Sequence, residues 1–379
     1  MNAPAGTFPP ADFLARHWQR EPCVIRGAWP DFEPDLDGDD LAGLACEPLA
    51  EARIVSGRHP DGNWRVRYGP FDEDEFDGLP PRDWTLLVQD CEKHYPPLAR
   101  WMRRFAFLPS WRLDDLMISF AAPGGSVGPH VDQYDVFLLQ ATGRRRWQIA
   151  RTFDPAEIPG LDLKVLARFE PEDEWELGPG DMLYLPPGVA HHGVAVDACT
   201  TWSFGFRAPS AADLLVAVGE ALADRGDQGG RYRDPDPLPA SAPGEIDDAA
   251  LAGLRRLLHG AVDGEGSNAL LGAFVSTFRM AHAPAPPDGA LDAQTVATAL
   301  AAGATVAPNP WTRLCWVREG ERARLFASGD AHECSPALAA WACTLPAPLP
   351  ADLAGEDATA LVAELHAGGH LFFEDADPA

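Results

Sequence analysis

The sequence predicts a mainly β core followed by a helical region and a small α+β tail, and two observations carry that reading. From about residue 91 to 208, short alternating runs recur (DLMISFAA, HVDQYDVFLLQ, RRRWQIA, DMLYLP, HHGVAV, TWSFGFRA), separated by the turns PGGSVGP, ATGR, GPGD and PPG. Short strands cut by Gly/Pro turns build a sandwich or barrel. From Ser210 the period changes from two to that of a helix.

Taken in order, residues 1 to about 90 mix a short helical signal (Phe13, Leu14 and Trp18 within FLARHWQR) with turns and acidic loops such as DLDGDD. The alternating core follows. Ser210 and Asp213 then form a capping box that opens a helix with Leu214, Leu215, Val218 and Leu222 on one face. After a polar Gly/Pro stretch, RGDQGGRYRDPDPLPASAPGE, two further helical patterns carry Leu251, Leu254, Leu258 and then Leu271, Phe274, Phe278. Beyond the APAPPDG linker the chain reads helix, the strands RLCWVRE and ARLFAS joined by an EG turn, more helix and a closing HLFF run, an order that resembles a small winged-helix domain.

Composition narrows the function classes. With 46% apolar residues the chain builds ordinary cores. Its opening, MNAPAGTFPP, lacks the basic start of a leader, and no apolar stretch is long enough to span a bilayer, so a cytoplasmic protein is expected. Seven cysteines, odd in number and never in CxxC spacing, argue against a zinc ribbon or a disulfide framework. A net charge of -27 repels nucleic acid and membrane surfaces and favours a basic partner. Residues 286 to 379 carry 13 acidic groups against four arginines, so direct DNA binding by the tail is not expected.

The chemistry starts at GPHVDQYDVFLLQ. Strand alternation puts His130 and Asp132 on one face, a preorganised imidazole–carboxylate pair. About sixty residues on, in GDMLYLPPGVAHHGVAV, a strand and a stiff Pro-Pro-Gly turn deliver His191 and His192. Two histidines and a carboxylate form the facial triad of non-haem Fe(II) oxygenases, which leaves positions open for co-substrate and oxygen; structural zinc prefers a closed tetrahedral set. His191 and His192 point to opposite faces. The HxG step favours His191, with Gly193 giving clearance beside the metal and His192 left to solvent or a supporting position.

In ATGRRRWQIA alternation places Arg145 with Trp147 and Ile149, facing inward, and Arg144 and Arg146 outward. A buried guanidinium needs a carboxylate. The far carboxylate of 2-oxoglutarate supplies one, with Ser119 on the preceding strand able to share it. Asp115, Met117, Tyr134 and Ser203 are placed to line a pocket with an acidic end and an apolar wall, which suits an arginine side chain.

With these residues in place the chain resembles the JmjC-type bacterial ribosomal oxygenases, the ribosomal-protein arginine hydroxylases. The likeness runs through FLARHWQREPCVIRGAW, DDLMISFAAPGGSVGPHVDQYDVFLLQATGRRRW, GDMLYLPPGVAHHG, SFGFRAPS, the RYRDPD loop and HLFFED. It implies a double-stranded β-helix core of JmjC/cupin type within residues 1–208, a helical dimerisation region over 209–285 and a winged-helix-like α+β domain over 286–379. It also implies Fe(II) on His130, Asp132 and His191, 2-oxoglutarate on Arg145, and Cβ hydroxylation of an arginine in large-subunit ribosomal protein L sixteen. Arginine at 145 resembles the bacterial members, where eukaryotic histidine-hydroxylating relatives carry lysine. The AHHG step departs from the single histidine of many members. Two other readings remain at this point: an oxygenase acting on histidine or a small molecule, and a cupin-like metal-binding module without activity.

Overall fold

The computed structural model of the chain describes residues 10–60, 63–224, 226, 230–234, 244–263, 266–278, 282 and 284–374, and it divides into two compact units, Met1–Ala208 and Pro209–Ala379. The Pro-rich opening, most of the polar stretch 225–243 and the last five residues lie outside the described residues, as does part of the linker that begins at residue 283.

In the first unit, twelve strands among the described residues form two antiparallel sheets. They are β1 (Cys23–Ile25), β2 (Ala52–Ser56), β3 (Arg65–Tyr68), β4 (Trp84–Val88), β5 (Leu113–Ala121), β6 (His130–Val131), β7 (Asp135–Thr142), β8 (Arg145–Ala150), β9 (Asp173–Leu177), β10 (Met182–Leu185), β11 (Ala190–Ala195) and β12 (Cys199–Phe206). The larger sheet runs β1-β10-β7-β12-β5-β4-β2-β3 and the smaller β6-β11-β8-β9. The first ninety residues thus contribute four strands where the sequence suggested helix, turns and acidic loops. These strands are three to five residues long, and β3, RVRY, has no fully buried residue; such runs are too short and too charged to show a period.

A second correction concerns HVDQYDVFLLQ, which read as one strand. The chain leaves the small sheet after Val131 and joins the large one at Asp135, so Asp132, Gln133 and Tyr134 form the crossing.

Alternation in β12 shows how the large sheet is used. Trp202, Phe204 and Phe206 enter one face, where they pack with Phe13, Trp29, Trp101, Phe105 and Phe137 in a cluster built with α1 (Pro10–Arg16), α2 (Gly38–Ala45) and α5 (Ala99–Met102). Thr201, Ser203 and Gly205 occupy the other face. On that side Val136, Leu138, Leu183 and Leu185 meet Trp147, Ile149 and Leu177 of the small sheet. Short helices α3 (Asp74–Asp77) and α4 (Cys91–His94) flank the sheet strands.

The second unit opens with α6 (Ala211–Asp224), and its capping box is present: Asp213 N–H donates to Ser210 Oγ at 3.1 Å and Ser210 N–H to Asp213 Oδ2 at 3.0 Å. Then come α7 (Asp248–Asp263), α8 (Ser267–Ser276), α9 (Ala293–Ala301), β13 (Thr305–Pro308), β14 (Leu314–Glu319), β15 (Arg322–Ala327), β16 (Asp330–Cys334), α10 (Pro336–Ala342), β17 (Ala347–Pro348), α11 (Glu356–Ala367) and β18 (Leu371–Phe373). Two three-stranded sheets, β17-β13-β18 and β14-β15-β16, share a core with α9, α10 and α11 around Leu325, Leu338, Trp341, Leu361 and Leu365. All seven cysteines are free thiols.

Candidate metal centre

His130 ends the Gly-Pro turn, Asp132 begins the crossing between sheets, and His191 pairs across from His130 in the β11–β6 ladder. Their ligand atoms lie within 4.8 Å of one another, the only such group of three among the described residues. Asp132 Oδ2 stands 3.6 Å from His191 Nε2 and 3.8 Å from His130 Nε2. The backbone holds each imidazole from behind. His130 Nδ1 is 2.9 Å from the Gly128 carbonyl and His191 Nδ1 is 3.1 Å from the Val189 carbonyl. A carbonyl only accepts, so Nδ1 carries the proton and the Nε2 lone pair of both rings is directed at Asp132. Burial, followed by the charge of His130, pulls His191 down to about 4, so the ring is neutral near neutrality, as a ligand must be. The two segments are tied together: Gly188, whose φ of +83° closes the Pro-Pro-Gly turn, donates its N–H to the Asp132 carbonyl at 2.8 Å. Two imidazoles and a carboxylate on one side of the space fit Fe(II) with open positions.

Arg145 is 5% exposed, while Arg144 and Arg146 are exposed. Its Nε and Nη2 are buried without a hydrogen-bond partner, and its guanidinium lies 5.7 Å from the Trp147 ring centroid. A permanent charge buried with two idle donors is costly, and a bidentate carboxylate is the group that satisfies them. Ser119 is buried on β5, its hydroxyl donating to the Thr201 carbonyl at 3.4 Å.

Asp115, Met117 and Ser119 share a face of β5, and Ser203 lies opposite Met117 in β12. Asp115 lies opposite Gly205, where a Cβ would come within 2.5 Å of its carboxylate; glycine leaves room for the acid. Gln89 Nε2 donates to Asp115 Oδ2. Burial, then the charges of Glu92, Asp114 and Asp90, raise the Asp115 carboxyl well above the usual range. Tyr134 is exposed, and its phenol feels both Asp132 and Asp115.

Two details of the sequence reading are corrected. His192 does not face solvent. It is 8% exposed, with ring centroids 5.8 Å from His59 and 5.9 Å from Phe169. Gly193 clears space for Trp147, its cross-strand partner, whose ring would meet a Cβ at 2.6 Å, and not for the metal. Sequence reasoning also missed Gln89, Glu92, Lys93 and Asp135. Fully buried, Asp135 accepts from Tyr184 Oη at 2.6 Å and Arg112 Nη2 at 2.7 Å, anchoring β7 just past the crossing.

The class follows from comparison with known families. A family model for the JmjC domain matches residues 100–214, and one for a ROXA-like winged helix matches residues 266–372. The ribosomal protein uL16 3-hydroxylase of Escherichia coli is 41% identical over 279 residues, which span 73% of this chain and 74% of that protein. The crystal structure of E. coli YcfD superposes with a TM-score of 0.86 at 36% identity, over 99% of this chain and 100% of that one. A structure of YcfD, described as a ribosomal oxygenase in complex with cobalt and 2-oxoglutarate, superposes with a TM-score of 0.84 at 35% identity over 98% and 99% of the two chains. The chain belongs to the JmjC-type bacterial ribosomal oxygenases, the uL16 3-hydroxylase family.

Proposed function

We propose that this chain is an Fe(II)- and 2-oxoglutarate-dependent dioxygenase that hydroxylates Cβ of an arginine in large-subunit ribosomal protein uL16 (L sixteen). The observation that carries the reading is the pairing of an open His–Asp–His triad with one inward guanidinium, Arg145, whose buried donors are idle. A module that merely binds metal has no use for that arginine. The relative named for uL16 3-hydroxylation and the neighbour bound to cobalt and 2-oxoglutarate support it.

His130, Asp132 and His191 would hold the iron, and Arg145, with Ser119, the distal carboxylate of 2-oxoglutarate. When bound, iron and co-substrate supply the oxidative chemistry, coupling decarboxylation to succinate with insertion of one oxygen atom into a C–H bond. The protein contributes position and dryness: Trp147, Ile149 and Leu138 wall the interior, and the Gly128 and Val189 carbonyls hold the imidazoles of His130 and His191, which would ligate the iron. Asp115 receives the substrate guanidinium, and Met117, Tyr134 and Ser203 flank its stem. A net charge of -27 favours approach of a basic ribosomal protein.

The chain acts as a homodimer through the helical stretch 209–285, and the acidic winged-helix-like part, 286–379, serves assembly or substrate docking without binding DNA. No helix among the described residues is long and apolar enough to cross a membrane; the ribosomal substrate places the reaction in the cytoplasm. Intact-mass analysis of uL16 incubated with the iron-loaded protein, 2-oxoglutarate and oxygen tests the activity. One added oxygen atom, mapped by fragmentation to an arginine, is expected; an unchanged mass alongside succinate release rejects the substrate and spares the oxygenase.

A further inference from the structure

Behind Asp115 lies a buried ion cluster that no metal or co-substrate role requires. Lys93, one of two lysines in the chain, has a side chain only 3% exposed. Its ammonium bonds to Asp90 Oδ1 and stands 3.8 Å from Glu92 Oε1. Glu92 Oε2 accepts the backbone N–H of Leu116, the residue after Asp115, at 2.9 Å, and Gln89 holds Asp115 Oδ2. The segment 89–93 therefore grips β5 at two adjacent residues.

Among the described residues of this cluster, Asp90, Glu92 and Asp115 set three carboxylates around the Lys93 ammonium. The neighbouring Cys91 thiol, pushed far up by burial, stays protonated; Arg53 of β2 acts on Tyr134 from the other side. Buried like charges do not all ionise together. Burial, opposed by Lys93, pushes Glu92 up to about 7, and Asp115 moves in the same direction.

We propose that Asp90, Glu92 and Lys93 form a positioning cluster that presents Asp115 and retains one proton on the Asp115–Glu92 pair until the guanidinium of the substrate arginine replaces it. Binding then exchanges one cation for another: the guanidinium enters against Asp115, and the proton leaves to solvent. No bond of the substrate changes in this step. The inference rests on the assignment of Asp115 to the substrate arginine. It makes a cationic side chain the required guest, because a neutral one leaves the proton in place.

Calorimetry tests it on the protein loaded anaerobically with iron and 2-oxoglutarate, titrated with a uL16 peptide carrying the arginine, in phosphate and in Tris near pH 7. The two buffers should give different heats, corresponding to between about half and one proton released per peptide, and below about pH 7 affinity should tighten as pH rises, by up to about tenfold per unit. The citrulline peptide should release none. Glu92→Gln should reduce the release, and Lys93→Met should carry it to higher pH. Glu92→Gln is nearly isosteric, and the two-buffer comparison needs no variant, so the test survives if Lys93→Met does not fold. Equal heats in both buffers with the arginine peptide bound overturn the exchange and leave the substrate assignment standing. Failure of the arginine peptide to bind overturns that assignment and the exchange with it.

Discussion

Arg145 is the residue whose local cost and function oppose each other most directly. Its guanidinium lies 5.7 Å from the Trp147 ring centroid, and its Nε and Nη2 have nothing to donate to in the protein. Without co-substrate, that burial should destabilise the fold by about 1–3 kcal/mol. Arg145→Met, which retains an apolar stem, should therefore melt higher than the parent when neither carries 2-oxoglutarate. Added 2-oxoglutarate should raise the parent's melting temperature and leave the variant's unmoved, because the parent alone gains ligand stabilisation; scanning calorimetry with and without the co-substrate reads both. Glu92 gives a second test. Its folded carboxyl, raised by burial from 4.5 to about 7, holds its proton more tightly than in the unfolded chain. Its contribution is thus undiminished below about pH 4.5, falls as pH rises towards 7, and is level above that, a loss of about 3 kcal/mol at most. The melting temperature of Glu92→Gln relative to the parent should rise across that window; a pH-independent difference contradicts the assignment. At this scale the convergence of His130, Asp132 and His191 and the burial of Arg145 were legible because metal ligation and carboxylate pairing each demand particular residue types at particular spacings. Glu92 and Lys93 were not, since QDCEK looks like any polar loop until β5 is laid against it.

At the scale of elements, β11 and β8 act as one unit. His191, Gly193 and Ala195 lie opposite Ile149, Trp147 and Arg145, so the metal histidine and the guanidinium share a ladder separated by the Trp147–Gly193 pair. Gly193→Ala would drive a methyl into the ring of the buried Trp147. We expect a loss of about 1–3 kcal/mol in denaturant unfolding and a weakened 2-oxoglutarate affinity, since Trp147 packs beside Arg145. A variant as stable as the parent with unchanged affinity would contradict this. The alternation of β5, β8 and β12 was readable because each strand is six to nine residues long and sends most of its large apolar side chains to one face. The β6–β7 crossing was hidden because HVDQYDVFLLQ has no glycine or proline to mark the point where the chain changes sheets. Strands β1 to β4 were too short to show a period at all.

For the whole molecule, the helices after Ala208 raise the question of assembly. Leu215 and Val216 of α6 and Leu254 and Leu258 of α7 are 55%, 59%, 43% and 62% exposed in the single chain. Apolar groups displayed on adjacent helical segments call for a partner surface. Solution scattering should give a mass of about twice 40.8 kDa, and Leu215→Glu with Leu258→Glu should return it to that of one chain; a parent already at the single-chain mass refutes the dimer. The division of the sequence near residue 208 was visible because the hydrophobic period switches there from two to that of a helix, and the structure divides at Ala208.

The proposed activity requires three side chains from two distant segments to hold one ferrous ion. Anomalous diffraction at the iron edge from anaerobically loaded crystals tests that most directly. A single peak bound by Nε2 of His130, Nε2 of His191 and an oxygen of Asp132 is the expected result; a peak seated between His192 and His59, or none within the barrel, would contradict it.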